Sequence, residues 1–188
     1  MNLPDRLAGA PAWMAFGAVA ALSCAVWALL TLLERGALAG VDAEIRPLVS
    51  GLAALGNVLS ATAVLAFWPL VTLAFWCCGL LVAGPVIPDY PDLLRPVGAA
   101  HLPAAAATLA AWALLLGADV WIAPGTPPGE ISAMPVIRVC RALIAAGYLL
   151  TAGCFVAAVR RAFRFAWPKA AAVAAAPFLL YYLLAMLA

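Results

Sequence analysis

Five long runs of apolar residues, separated by short polar segments, constrain this sequence more than any other feature. The runs cover residues 11–33, 56–83, 97–117, 136–159 and 170–187. A helix that crosses the hydrocarbon core of a bilayer needs about 20 predominantly apolar residues, which each run roughly supplies. The pattern therefore predicts an all-α, polytopic integral membrane protein with five transmembrane helices, in one domain that covers residues 1–188.

Composition narrows the possible partners. The chain is 68% hydrophobic and only 10% charged, whereas a soluble domain has about 25% charged residues. The net charge of +2 is small and the basic residues are scattered, so we expect no nucleic-acid partner. The expected partners are the lipid bilayer and other membrane protein subunits. Abundant alanine, and arginine in place of lysine, suggest a GC-rich genome and hence a bacterial inner membrane.

The segment between the first two runs has two interpretations. Apolar residues recur at helical spacing in residues 41–55, while Asp42, Glu44 and Arg46 fall mostly off that stripe. The segment is either a short amphipathic helix that lies in the interface or an extension of the second span above the bilayer.

Orientation follows from the basic residues, because cytoplasmic loops carry the excess of Lys and Arg. The segment before the last span contains Arg160, Arg161, Arg164 and Lys169. Placing this segment in the cytoplasm predicts a cytoplasmic N-terminus and an outward C-terminus. The start of the chain has neither a strongly basic region nor a clear cleavage site, so we expect no removable signal peptide.

The second span carries an aromatic stripe. Trp68, Phe75 and Trp76 follow one another at i, i+7 and i+8, which aligns them on one helical surface, and Pro69 predicts a kink or tilt. The stripe is a candidate contact for a partner or for lipid. Helix packing or lipid contact is the ordinary interpretation of such a stripe, and a binding groove is the alternative.

A polar segment at 89–103 contains the only histidine of the sequence, His101. We interpret it as a cytoplasmic turn with Asp89, Asp92 and Arg95 as its charged residues. These charges form either a solvated loop or an ionic latch worth about 0–1 kcal/mol.

Arg138 and Arg141 lie at the start of the fourth span, the second about one turn deeper. They either extend to the outer headgroups or contact a lipid phosphate or a carboxylate, with Asp119 and Glu130 as candidates within the chain. Further along the same span, Gly147 and Thr151 form a small-xxx-small pattern that could seat a neighbouring helix.

The five cysteines lie inside apolar runs, an arrangement that argues against a disulfide framework. A mixed metal site of Cys77, Cys78 and His101 is the strongest candidate for metal binding. Two adjacent cysteines cannot easily place both sulfurs around one ion, and buried free cysteine commonly packs as a small hydrophobic residue. We therefore expect no metal and no cofactor.

Three features resemble the Yip1-domain family over about residues 56–188. The second span contains FWPL (67–70) and FW (75–76), and DLLRPVGAAHLP (92–103) resembles the segment that opens the family's third helix. The last run, WPKAAAVAAAPFLLYYLL (167–184), resembles the family's basic residue followed by a proline-interrupted apolar helix. The residues that carry the last two resemblances are Leu93, Leu94, Gly98, Leu102, Pro103, Lys169, Pro177 and Tyr181.

The resemblance implies five helices and, for eukaryotic members, membrane trafficking with small GTPases. This sequence has almost no N-terminal arm, so we expect no GTPase binding. The sequence contains no evident pairing of a nucleophile with a base, and Pro69 with Thr62 and Thr72 gives only a faint version of a transporter's polar midplane. We therefore predict a non-catalytic scaffold or accessory subunit of a membrane complex; the alternative is a component of a small lipid or solute transporter.

Overall fold

The computed structural model describes residues 11–38, 41–82, 86–118 and 128–187. They form helices throughout, and we number these α1 (Ala12–Leu38), α2 (Arg46–Leu81), α3 (Tyr90–Ala99), α4 (Leu102–Gly117), α5 (Pro128–Ala133), α6 (Pro135–Phe163) and α7 (Trp167–Leu187). Only two residues separate α3 from α4, so the pair forms one interrupted rod. The helices α1, α2, α3 with α4, and α6 are each long and apolar enough to cross a membrane.

Prolines set where most of the helices begin. A proline occupies the first or second position of α2, α3, α4 and α6, where the missing N–H would have no helical acceptor. The helix α7 likewise has Pro168 as its second residue. Each observed helix begins within about ten residues of the start of the corresponding predicted span. The largest differences in starting position are those of α2 and α3.

The short helix predicted at 41–55 does not form as a separate element. Residues 46–81 make one uninterrupted helix of 36 residues, which is the second of the two interpretations. Gly51 and Gly56 each cost a helix only about 1 kcal/mol, and no proline separates this stretch from the span that follows. The predicted end of the second span, Ala83, lies outside the described residues.

The prediction of a polar turn at 89–103 is wrong for the backbone, which is helical over most of this segment. The helix α3 begins at Tyr90, with Pro91 in its first turn and Asp92 near its positive N-terminal end. Its inner face is formed by Leu93, Pro96, Val97 and Ala100, all buried. Their spacing of i, i+3, i+4 and i+7 is that of a buried helical face, opposite the exposed charged residues of the first turns. From Pro96 to His101 the rod is buried at every residue.

Small residues bring α4 and α6 together. Gly147 is buried against α4, where a Cβ atom would collide with the methyl group of Ala107 and lie 3.0 Å from the carbonyl oxygen of Pro103. One turn later, the Thr151 hydroxyl accepts a hydrogen bond from the backbone N–H of Ala104 at 3.2 Å. The predicted seat for a neighbouring helix at Gly147 and Thr151 is confirmed, and the neighbour is α4.

The aromatic core lies at the other end of α6. Phe75 meets Phe155 edge-on with ring centroids 5.4 Å apart, and Phe163 stacks on Phe165 at 5.1 Å. Gly79 leaves the space that the Phe163 ring fills. The chain then reverses at Arg164, a left-handed residue with φ of 54° that closes the C-terminus of α6 and leads into α7.

Candidate functional site

A cavity of about 540 Å³ lies between α2 and α6. Its walls are mostly apolar, with a few polar side chains. The lining residues are Leu22, Ser60, Ala63, Val64, Phe67, His101, Tyr148, Thr151, Ala152, Phe155 and Phe178. The volume falls in the range of small-molecule sites, which is about 300–1,000 Å³.

The cavity lies near the middle of every helix that lines it. Leu22 is close to the centre of α1, residues 60–67 surround the centre of α2, and Phe178 is at the centre of α7. The residues of α6 and of the α3–α4 rod fall within about two helical turns of the corresponding midpoints. In a chain whose helices cross a membrane, this position lies within the hydrocarbon core.

The cavity has a buried floor and an exposed rim. Leu22, His101, Thr151 and Phe155 form the floor, and all four are buried. The rim side chains, among them Phe67, Tyr148 and Phe178, are exposed on the outside of the bundle. The contacts between α2 and α6 are at Phe75 and Gly79, beyond residues 60–67, so the cavity opens sideways beside those residues, towards the surface that lipid would cover.

His101 is the most polar part of the floor. Its Nδ1 atom lies 2.9 Å from the carbonyl oxygen of Val97 and 3.3 Å from that of Gly98. Carbonyl oxygens only accept hydrogen bonds, so we assign the hydrogen of the neutral ring to Nδ1. Nε2 is then left as an acceptor. The ring also packs edge-on against Phe155, with centroids 5.2 Å apart.

The floor also contains the break between α3 and α4. His101 directly precedes α4, and Pro103 supplies no N–H in the first turn of that helix. The residue after Pro103 is Ala104, whose backbone N–H donates to the Thr151 hydroxyl oxygen as described above. Hydrogen bonds therefore flank the break on both sides. His101 bonds back to carbonyl oxygens of α3, and the Ala104 N–H of α4 donates to Thr151 of α6.

The aromatic stripe of α2 packs within the chain. Trp68 donates its indole N–H to the carbonyl oxygen of Leu94 at 2.8 Å, and Trp76 donates to Pro88 at 2.9 Å. Tyr90 completes the connection by donating to the carbonyl oxygen of Pro69 at 2.9 Å. Phe75 is fully buried. Of the two interpretations of the stripe, the structure favours helix packing, because both indole N–H groups find acceptors on the neighbouring segment.

The charged residues of the predicted turn lie outside the bundle, in contrast to His101. Asp89, Asp92 and Arg95 are exposed. The two aspartates line a polar cleft of about 490 Å³ together with Arg161 and Arg164. The cleft brings the acidic start of α3 next to the basic end of α6, whereas Arg95 is not among its lining residues.

Arg138 and Arg141 are exposed on the first turns of α6. Of their two candidate carboxylate partners, Glu130 is exposed on α5, and Asp119 lies outside the described residues. The choice between extension to the headgroups and pairing therefore stays a prediction.

The cysteines differ in their surroundings. Cys140 and Cys154 are buried and Cys77 is exposed, as is Cys24, while Cys78 is half-buried. Within the described part of the chain, no group of three His, Cys, Asp or Glu side chains is positioned to hold a metal ion.

Sequence reasoning missed the cavity and the burial of His101. The sequence does contain a signal for the burial of His101. Pro96 and Pro103 flank the small residues 98–100, and the helical spacing from Leu93 to Ala100 predicts a buried face. The cavity has no such signal, because it depends on the distance between α2 and α6.

No protein-family model, curated protein or solved structure matches the chain.

Proposed function

We propose that the chain is an integral membrane protein of five spans, with α7 as the fifth, a cytoplasmic N-terminus and an outward C-terminus, in a bacterial inner membrane. The 21 residues of α7 extend about 31 Å, which matches the hydrocarbon thickness of a bilayer. The polar cleft supports this orientation, since it joins the start of α3 to the basic end of α6 on one face. The Arg and Lys residues at that face support its placement in the cytoplasm, because cytoplasmic loops carry the excess of basic residues.

We further propose that the protein binds a lipid or another apolar solute from the bilayer, as a component of a small transporter. The observation that carries this proposal is the cavity at mid-depth, with a broken helix in its floor. Transporters commonly place their binding sites near the bilayer midplane, where interrupted helices supply polar groups to an otherwise apolar pocket. The cavity is lined in this way, and its exposed rim faces the lipid.

The arrangement of the polar groups in the cavity is consistent with a protein that binds a ligand without catalysing a reaction. The hydroxyls of Ser60 and Tyr148 make no hydrogen bond to His101 within the described residues, and the Thr151 hydroxyl is engaged with Ala104. A nucleophile needs a base within about 2.6–3.2 Å, and no such pair is present in this floor.

A scaffold or accessory subunit of Yip1-like type is the second candidate. It is favoured by the first half of α2, where Leu48, Leu52, Leu55 and Leu59 follow a helical stripe and are all exposed. A neighbouring subunit could cover this stripe, and so could lipid tails. The aromatic residues of the Yip1 resemblance do not add to this surface, because they pack within the chain.

Filling the cavity tests the binding proposal. Ala63→Phe adds a ring to the cavity wall, whereas Ala66→Phe makes the same change at an exposed alanine outside the lining. The purified protein would be photolabelled in nanodiscs with a lipid that carries a diazirine in its tail, and labelled peptides identified by mass spectrometry. We expect labelling of residues that line the cavity in the parent protein and the Ala66→Phe control, and its loss in Ala63→Phe. Equal labelling in all three proteins would refute the proposal.

A further inference from the structure

Nε2 of His101, in the cavity floor, has no hydrogen-bond partner among the described residues. His101 is only 4% exposed, and its Nδ1 edge is held by two carbonyl oxygens of its own helix. Nε2, on the opposite edge of the ring, makes no hydrogen bond within the described residues, and it is not sealed in the protein interior either. His101 lines the cavity, so the cavity is the space that the accessible Nε2 edge would face.

The tautomer determines what Nε2 can recognise. With the hydrogen on Nδ1, Nε2 is an acceptor and can bind only a group that donates a hydrogen bond. An acceptor left without a partner in apolar surroundings costs about 1–3 kcal/mol, so a ligand that supplies one donor at this point is favoured over a plain hydrocarbon.

The rest of the lining selects against charge. Among the described residues that line the cavity, the polar side chains other than His101 are the hydroxyl residues Ser60, Tyr148 and Thr151, and none carries a carboxylate, guanidinium or ammonium group. The N-terminus of α4 is a poor anion site, because Pro103 lacks an N–H and the N–H of Ala104 already donates to Thr151, which leaves at most the N–H of Leu102 in these first three residues. An ionised head would therefore be desolvated without compensation.

The volume limits the size of the ligand. The cavity of about 540 Å³ lies in the lower half of the range of about 300–1,000 Å³ that small-molecule sites occupy. This suits a single long chain with a small head, and a phospholipid with two acyl chains is too large to enter completely.

We propose, on the basis of the proposed binding function, that the cavity takes an uncharged, single-chain lipid alcohol whose hydroxyl donates a hydrogen bond to Nε2 of His101. The chain of this ligand lies along the apolar walls and leaves between α2 and α6. The hydroxyl lies beside the break between α3 and α4.

A ligand series tests the hydrogen bond without altering the protein. Hexadecanol, its methyl ether, hexadecane and palmitate would compete with a diazirine-labelled long-chain alcohol for cavity labelling in phosphatidylcholine nanodiscs. We expect hexadecanol to compete about fivefold better than the ether and hexadecane, the factor for a hydrogen bond of about 1 kcal/mol. Equal competition by alcohol and ether would overturn the assignment of the donor, and stronger competition by palmitate would overturn the uncharged head.

Two substitutions locate the acceptor. His101→Asn keeps an N–H near the carbonyl oxygens of Val97 and Gly98 but has no atom at the position of Nε2, so the preference for hexadecanol over its ether should fall to about one. His101→Gln can present an amide oxygen near the position of Nε2, and should retain part of that preference. If the preference survives in His101→Asn, another group accepts the hydroxyl.

The two proposals can fail separately. If alcohol and ether compete equally and Ala63→Phe still abolishes labelling, the cavity binds lipid but His101 does not select the head. If Ala63→Phe leaves the labelling intact, the binding function itself is refuted.

Discussion

The interrupted rod of α3 and α4 and the first half of α2 have similarly apolar sequences but opposite surroundings. In the apolar window of the rod 50% of the residues are buried, whereas Ala61 is the only buried residue between positions 46 and 63 of α2. The rod presents glycine and alanine to its neighbours, while the first half of α2 presents leucines to the outside. In lipid, apolar side chains gain little by leaving the bilayer for a helix surface, so close approach between small residues decides which helix becomes central.

The glycines of the two regions give the sharpest test of this contrast. A Cβ at Gly98 would lie 2.8 Å from both the Ala15 methyl and the Trp68 ring, whereas at Gly56 it would meet nothing within 4 Å. We expect Gly98→Leu to destabilise the fold by about 3 kcal/mol through overpacking. Gly56→Leu should be neutral or stabilising by up to about 1 kcal/mol, because leucine is the better helix former. Unfolding in mixed micelles, followed by circular dichroism, measures both; similar losses would break the comparison.

Two leucines test the same difference in burial between the two regions by removing side-chain atoms instead of adding them. Leu93 is fully buried in α3, and Leu52 is 63% exposed on α2. Leu93→Ala should cost about 2 kcal/mol, the lower end of the range for such truncations, because part of the transfer term is missing when the unfolded helix stays in lipid. Leu52→Ala should change the free energy of unfolding by less than about 0.5 kcal/mol. A clear loss for Leu52→Ala in the purified monomer would place an unseen contact on the first half of α2.

The smallest expected effect concerns the connection between α2 and α3. Trp68→Phe retains most of the ring packing and removes the hydrogen bond to Leu94, so it should cost about 1 kcal/mol. Trp27→Phe is the matched control, because Trp27 is half exposed on α1. Thermal unfolding in detergent should lower the Tm of Trp68→Phe only; an equal shift in both proteins would attribute the loss to ring size.

Much of the fold could be predicted from the sequence. The long apolar runs and the prolines at helix starts fix the helices, and Gly147 with Thr151 identifies a real contact. The error at 89–103 has a physical cause: charged residues on one face of α3 resemble a solvated turn when their apolar partners at Leu93 and Val97 are not weighed with them. The cavity could not be predicted, because the gap between α2 and α6 is set by side chains from several helices at once.

The length of α2 has a consequence for the membrane around the protein. Its 36 residues measure about 54 Å, against about 30 Å for a hydrocarbon core. Even at a tilt of about 40°, near the upper limit for membrane helices, it would extend about 41 Å along the bilayer normal. If α2 crosses a bilayer, part of it must therefore extend beyond the hydrocarbon core, and Arg46, which donates to the carbonyl oxygen of Val41 at 2.8 Å, makes its first turns the polar end that suits the headgroups. A thicker membrane would draw these turns inward and make the helix more upright, so the protein would respond to the thickness of the bilayer in which it resides.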